Sequence, residues 1–490
     1  MSPEPGTERA KVQALKLRTP IYRFVEHVPD RAVFYGILML LTLTAIPRGT
    51  VDPWWEAMFE CAVFALFALS ICGYAPGGAW RFKAGRMLMP LALLVVFAFM
   101  QSTRIGHGSA IAAVRGVRWT ISADPFETFR FALKMSAIVI TGLLLLRHTT
   151  TWKRLVILLF VLIGIGVASA LFGLFKPYWT HDGHGSILIA PSQDGYGQFA
   201  NRNHFALLME MTLGPVLGLA LWSKAKHLHL ACYLFAAGLL SASILLTSSR
   251  GGIISLLGQL IFLVLLSGSA RDPRRPAASR NLIISEKWHL DSALISRLSL
   301  VALLFVSVGV IVYQVSGDSA VKRLGSITSE LRPDLEHPRT KVRRQEIWRA
   351  TWQMIKAHPV AGVGFGAYGT AITKYHDSAG NWIPQQAHND YLELVASGGL
   401  IGTALGACFL VAFVKSARES LTTTRGMRRG MTLGALAGLF AAAVHSFVDF
   451  GLHVTVNALV FTALIVLAVA KVEEEGRKYR VRSEHAPSVC

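Results

Sequence analysis

The sequence predicts an all-α integral membrane protein with about twelve transmembrane helices. A large, partly helical loop separates the ninth from the tenth. Three observations carry that reading. Charged residues make up only 16% of the 490-residue chain and hydrophobic ones 52%, whereas soluble domains average about 25% charged. The apolar residues gather in runs approaching the roughly 20 residues that cross a bilayer core. The runs also lack the alternation of a barrel strand, and only a helix then satisfies its own backbone in lipid. A disordered chain, a coiled coil and an ordinary soluble enzyme are excluded on the same grounds.

The runs fall at 33–47, 55–74, 87–103, 131–147, 155–176, 205–222, 229–247, 252–267, 298–315, 391–414, 430–447 and 454–470. Residues 1–32 are polar and mixed in charge, with neither the apolar core nor the small-residue cleavage site of a signal peptide. With the N-terminus cytoplasmic, thirty Lys and Arg fall in cytoplasmic segments and eight in the short outer ones. That asymmetry fixes the orientation and puts the 471–490 tail inside as well. It also accounts for the net charge of +20, which in a soluble protein would suggest nucleic acid. Lys134 lies within the fourth run. Cys61, Cys72, Cys232 and Cys408 lie in or beside apolar runs and Cys490 ends the chain, so no pair has disulfide or metal spacing.

Segment 316–388 is the large outer loop. Within it, Ile347, Trp348, Thr351, Trp352 and Ile355 share one helical face over 342–357. That face fits a helix lying on the membrane surface or one packed on the outer mouth of the bundle. The cytoplasmic loop 268–297 carries RDPRRP.

Four polar clusters fall on the outer side. FANRNHFALL (199–208) crowds Asn201, Arg202, Asn203 and His204 at a helix start, where free N–H groups favour an anion. Asn201 or Asn203 acting as a simple cap beside an interfacial arginine explains the same residues. TSSRGG (247–252) sets Arg250 in a tight turn before a helix opened by two glycines, suited to a bidentate phosphate contact, with snorkelling as the alternative. In QQAHNDYLELVASGGLIG (385–402), His388 precedes a helix that Asn389 or Asp390 can cap, with Asp390 and Glu393 matching a capping box. A histidine so fixed can act as base, acid or hydrogen-bond donor. In HSFVDFGLH (445–453), Asp449 lies between His445 and His453, placed to orient a histidine, to bind an acceptor hydroxyl or to make an ordinary turn.

Two weaker signals read as structural. GVGFGAYG (362–369) resembles a phosphate loop but has no preceding strand and no following Lys-Ser/Thr, and so reads as a flexible turn. DPFE (124–127) pairs two acids too loosely for a metal-bound nucleotide donor. Glu210 is the main acid within a span, fewer than a proton-coupled transporter would carry. No metal and no cofactor is expected. Two arginines near the membrane plane suit a diphosphate carried on a lipid.

NRNHFALL, SSRGGIISLLGQL, HPVAGVGFGAYG followed by QQAHNDYLELVASGGLIG, and HSFVDFGLHV together resemble the bacterial O-antigen ligase and O-antigen polymerase superfamily, over about residues 195–465. The first five runs match only in hydropathy. The resemblance implies a metal- and nucleotide-independent glycosyltransferase at the periplasmic face of the inner membrane. It would take a glycan from undecaprenyl diphosphate and join it to an acceptor sugar hydroxyl, on lipid A-core in a ligase or on a lipid-linked glycan in a polymerase. A related branch glycosylates protein. The family's essential arginine and histidine correspond to Arg250 and His388, and a further arginine to Arg202; Asp449 has no firm counterpart.

The expected reaction is an inverting displacement. Arg202 and Arg250 hold the diphosphate, and His388 removes the acceptor proton or bonds the diphosphate; a base role predicts a rate loss at low pH. Asp449, Asn203 and Asn389 are candidate orienting or acceptor-binding groups. O-antigen ligase is the leading reading and polymerase the alternative. A transporter is the remoter rival, because common twelve-span carriers place their long loop after the sixth span and inside.

Overall fold

The computed structural model describes residues 29–72, 85–103, 120–179, 195–223, 226–268, 292–316, 344–376 and 383–472. The N-terminal segment to 28, the RDPRRP loop, positions 317–343 and 377–382 of the large loop and the tail from 473 lie outside the described residues.

All twelve apolar runs are helical. α1 covers 29–44. It is followed by α2 (Pro53–Cys72), α3 (Met89–Ser102), α4 (Pro125–His148), α5 (Trp152–Trp179), α6 (Arg202–Trp222), α7 (His227–Leu246), α8 (Arg250–Gly268) and α9 (Ser292–Ser316). After the large loop come α12 (Asp390–Thr423), α13 (Gly426–His445) and α14 (Thr455–Val469), with α10 (Arg344–Ala357) and the short α11 (Tyr368–Ile372) inside that loop. Among the described residues, seven helices are long and apolar enough to cross a membrane: α2, α3 with its preceding turn, α4, α5, α6, α7 and α12. Stretches of α8, α9 and α14 are apolar but shorter. The large side chains left exposed are apolar on α8 (Leu257, Ile261, Leu265), α9 (Leu303, Val306, Val310) and α12 (Leu410, Val411). A helix surface of that kind belongs against lipid.

α6 is the axis of the bundle, buried along almost its whole length. Its tightest neighbour is α13, and glycine explains why. A β-carbon on Gly214 would meet the Gly434 carbonyl oxygen at 2.4 Å, and one on Gly218 would meet that of Gly430 at 2.2 Å. Small residues four apart on both helices therefore bring the two backbones into contact, the packing device of helices in lipid. Pro215 lies inside α6 and cannot donate to the Met211 carbonyl. That freed carbonyl is met by Gly438, where a β-carbon would come within 2.5 Å of it.

α12 is broken at Gly399, whose φ of +58° is open to glycine alone at low cost. Segment 358–366 fills the break. The N–H groups of Val363 and Gly364 donate to the Ala396 and Ser397 carbonyls, both at 3.0 Å, and that of Leu400 donates to the Pro359 carbonyl at 2.8 Å. Gln101 of α3, fully buried, donates to the Ala361 and Ser397 carbonyls and accepts from the Phe365 N–H. The glycine-rich stretch is thus a hydrogen-bonded plug and not the flexible turn its composition suggested. Irregular backbone at such a place survives because protein, not lipid, surrounds it.

α10 packs on the bundle: Ile347, Ala350, Thr351, Met354 and Ile355 are buried, Ala350, Met354 and Ile355 clustering with Val363, Tyr368 and Ala396 and Thr351 bonding the Tyr368 hydroxyl. Trp352 is exposed and Trp348 half-buried. Of the two placements expected of this helix, packing on the bundle is the one observed. The DPFE acids also have structural partners. Asp124 caps α4 by accepting the Glu127 N–H, and Glu127 pairs with Arg130. Lys134 is neutralised by Glu56 of α2.

Candidate active site

The starts of α6, α8 and α12 and the end of α13 meet at one end of the bundle, and each motif cluster lies at one of these points. At α6, Asn201 caps the helix, its Oδ1 accepting the Asn203 N–H at 2.9 Å. The capping explanation of that asparagine therefore holds. Arg202 is the first helical residue, half-buried, and makes no ion pair among the described residues. The inward-facing member is His204, 7% exposed. Asn457 of α14 ties it down by donating to its carbonyl at 3.1 Å.

At α8, each residue of the turn has a local task. Ser248 takes a φ of +53° and Ser249 Oγ accepts the Gly252 N–H at 3.1 Å, capping the helix that Arg250 begins. Gly251 and Gly252 let this helix start abut the neighbouring side chains. A β-carbon on Gly251 would lie 3.3 Å from His445 Nε2, and one on Gly252 3.2 Å from Glu210 Oε1.

At α12, Asn389 is the cap, accepting the Tyr391 and Leu392 N–H groups. Glu393 does not close a box with Asp390. It reaches back to accept the Ala387 N–H at 2.8 Å, while the Trp348 indole donates to the Ala387 carbonyl at 3.0 Å. Asp390 donates its N–H to the Ser446 carbonyl and accepts from Ser446 Oγ. His388 is held between these anchors with a φ of +51°, a conformation costing a non-glycine residue roughly 1–2 kcal/mol. The strain presents its ring to the cluster.

Asp449 is the hub. Its side chain is buried, and three imidazoles surround it. His388 Nδ1 lies 3.4 Å from Oδ1, with His204 Nε2 at 3.6 Å and His445 Nε2 at 4.0 Å from Oδ2. Burial alone would raise this carboxyl. The hydrogen bond with His388 and the charges of His204 and His445 outweigh it and hold the group down to about 2. Phe450 wedges between His388 and His204, with ring centroids 4.9 and 4.8 Å away. The His388 side chain remains 24% exposed.

The sequence placed Asp449 between His445 and His453. The structure keeps His445 but turns His453 toward Asp390 and Glu393, at 3.6 and 3.5 Å. The acid within a span is not isolated either: Glu210 Oε1 lies 2.9 Å from His445 Nδ1, both fully buried. Sequence reasoning missed that pair, because 235 residues separate its members. Asn203 and Asn389 engage their own helix starts, Asn203 through its backbone N–H and Asn389 through its side-chain oxygen. Among the described residues, no three His, Cys, Asp or Glu side chains are grouped to hold a metal ion.

Residues 235–407 match the family model described as O-antigen ligase. The match takes in the Arg250 turn, the glycine plug and the His388 motif. No curated protein matches the chain. That match, together with the apolar helices around it, makes the chain similar over residues 235–407 to membrane proteins of the O-antigen ligase and polymerase superfamily.

Proposed function

We propose that the protein transfers a glycan from undecaprenyl diphosphate to a sugar hydroxyl, as an O-antigen ligase does, at the periplasmic face of the inner membrane. One observation carries this: the His388–Asp449 pair, with His388 open on its other side, lies across the buried His445 from the turn that begins with Arg250. All twelve apolar helices cross the membrane in this reading, both termini are cytoplasmic, and 33–470 is one transferase unit.

Arg250, with Arg202, grips the diphosphate. Aimed guanidinium groups matter because negative charge grows on the leaving oxygen in the transition state. The starts of α6, α8 and α12 add the positive ends of three helix dipoles. Asp449 accepts from His388 Nδ1–H, which leaves Nε2 as the acceptor of a proton. The acceptor hydroxyl oxygen then forms its bond to the anomeric carbon as the bond from that carbon to the phosphate oxygen breaks. The electron pair leaves with undecaprenyl diphosphate, and the hydroxyl proton goes to His388 Nε2. A single displacement inverts the anomeric centre, and a diphosphate leaves well enough without a metal. Asp449 is an orienting group here, and Asn389 positions the helix that carries His388. α10 and Trp352 lie beside the site, where they grip sugar or lipid.

The test is a gene deletion complemented with wild type, Arg250→Ala or His388→Ala. Long lipid-linked chains with bare lipid A-core in the deletion mean a ligase. Single repeats on the carrier with polymer lost mean an O-antigen or exopolysaccharide polymerase. Full complementation by both variants overturns the reading and favours a transporter.

A further inference from the structure

The Glu210–His445 pair takes no part in the mechanism above, yet it touches both halves of the site. Glu210 Oε1 lies 2.9 Å from His445 Nδ1, and His445 Nε2 points at Asp449 Oδ2 from 4.0 Å. Both of those facing atoms, Nε2 and Oδ2, are buried and make no hydrogen bond among the described residues. The same ring and carboxylate are the neighbours against which Gly251 and Gly252 pack the Arg250 turn. A link that served only to join α6 to α13 would need neither contact, since the glycine seam already joins those helices along their length.

We propose that Glu210 and His445 are positioning residues: they present an Nε2–H donor to Asp449 and thereby fix the carboxylate that orients His388. This rests on the transfer reaction proposed above. The argument is one of proton counting. With one proton on the pair, it resides on Nδ1 facing Glu210, and the Nε2 lone pair then confronts the lone pairs of Oδ2. With two, either as carboxylate and imidazolium or as carboxylic acid and neutral ring, Nε2 carries a proton in both forms. Only the second count turns a donor, rather than a lone pair, from His445 toward Oδ2, and a buried carboxylate oxygen facing a lone pair is costly. Asp449 faces His204 from α6, His388 before α12 and His445 from α13, with Asp390 and His453 beyond them. Only His445 among these is itself held by a second buried acid at hydrogen-bond distance.

The test measures kcat, KM and the pH profile of purified protein. Its substrates are undecaprenyl-diphosphate-linked glycan and lipid A-core, both isolated from the deletion strain. Glu210→Gln can donate its amide N–H to Nδ1, which keeps the proton on Nε2, and so retains activity within about threefold. Glu210→Leu and His445→Phe each lose at least tenfold in kcat with the donor KM within twofold. The further loss at low pH that comes with protonation of Asp449 itself begins about one pH unit higher, because an Asp449 stripped of a donor protonates more easily. The double variant is no worse than the weaker single, as expected of residues acting as one unit. The proposal is overturned if Glu210→Leu matches Glu210→Gln, if the single losses multiply, or if the loss falls on KM. Should Glu210→Leu not fold, His445→Phe decides: a wild-type kcat and pH profile overturns the proposal. Absence of transfer by wild type, or its survival in Arg250→Ala, sinks the transfer reaction instead.

Discussion

Asp449→Asn isolates the electrostatic contribution of the hub, because it removes the charge and leaves the volume. In the proposed reaction His388 takes the acceptor proton and so becomes a cation 3.4 Å from the Asp449 carboxylate. At an effective dielectric of about 20, unit charges at that separation attract by about 5 kcal/mol. With the proton about half transferred in the transition state, roughly 2–3 kcal/mol of that is realised, a loss of about 30- to 150-fold in kcat. The asparagine amide can also donate to Nδ1, which places the ring proton on Nε2 and deepens the loss. Asp449 does not touch the diphosphate in this account, so the donor KM stays within about twofold. The sign of the pH effect follows from the same group. Its carboxyl is held at about 2, so Asp449 stays charged throughout mild acid and its support is lost only as pH falls toward 2. The assay is steady-state transfer by detergent-purified protein, with thermal melting to show that the variant is folded. A folded Asp449→Asn protein with wild-type kcat, or one whose loss lies in KM, refutes the reasoning.

Arg250→Lys keeps the charge but loses the planar fork, and transfer falls about 100-fold or more; near-wild-type activity would leave Arg250 a membrane anchor. Gly434→Val puts a branched side chain where α6 backbone lies, since even a β-carbon would stand 2.6 Å from the Gly214 carbonyl. It costs about 3 kcal/mol or more in stability, read as lost monodisperse yield and a lower melting temperature. Gly309→Ala in α9, with nothing within 4 Å of the added carbon, is the control and is neutral or stabilising by up to about 1 kcal/mol. Gln101→Leu removes three hydrogen bonds that hold the plug in the α12 break and destabilises by about 2–4 kcal/mol. Its thermal melt falls while the glycine seam is left intact.

Hydropathy alone located every helix of the bundle, because lipid leaves the backbone no other solution. Helix-start chemistry was legible wherever it is local. Asn201 and Asn389 cap their own helices, and Asp124 caps α4 within three residues. What escaped the sequence depends on partners distant in the chain. Asp449 meets His388 across 61 positions and Gln101 meets Phe365 across 264, and no spacing rule encodes either. The plug was misread because its hydrogen bonds go to a broken helix rather than to a strand. The signal was present as paired glycines, Gly398 and Gly399, inside an apolar run beside three glycines that all take positive φ. Of the predicted α10 face, Ile347, Thr351 and Ile355 are buried and Trp352 is exposed.

The central claim is that the cluster around Asp449 performs glycosyl transfer from a lipid diphosphate. Its most direct measurement is single-turnover transfer by the purified wild-type protein and by His388→Ala, using undecaprenyl-diphosphate-linked glycan and lipid A-core acceptor, with the released carrier and the new glycosidic bond followed together. The account predicts one undecaprenyl diphosphate released per glycan joined, an inverted anomeric centre, and a His388→Ala protein that binds the donor but forms no product. Product formation by folded His388→Ala at the wild-type rate, or retention at the anomeric centre, would contradict it.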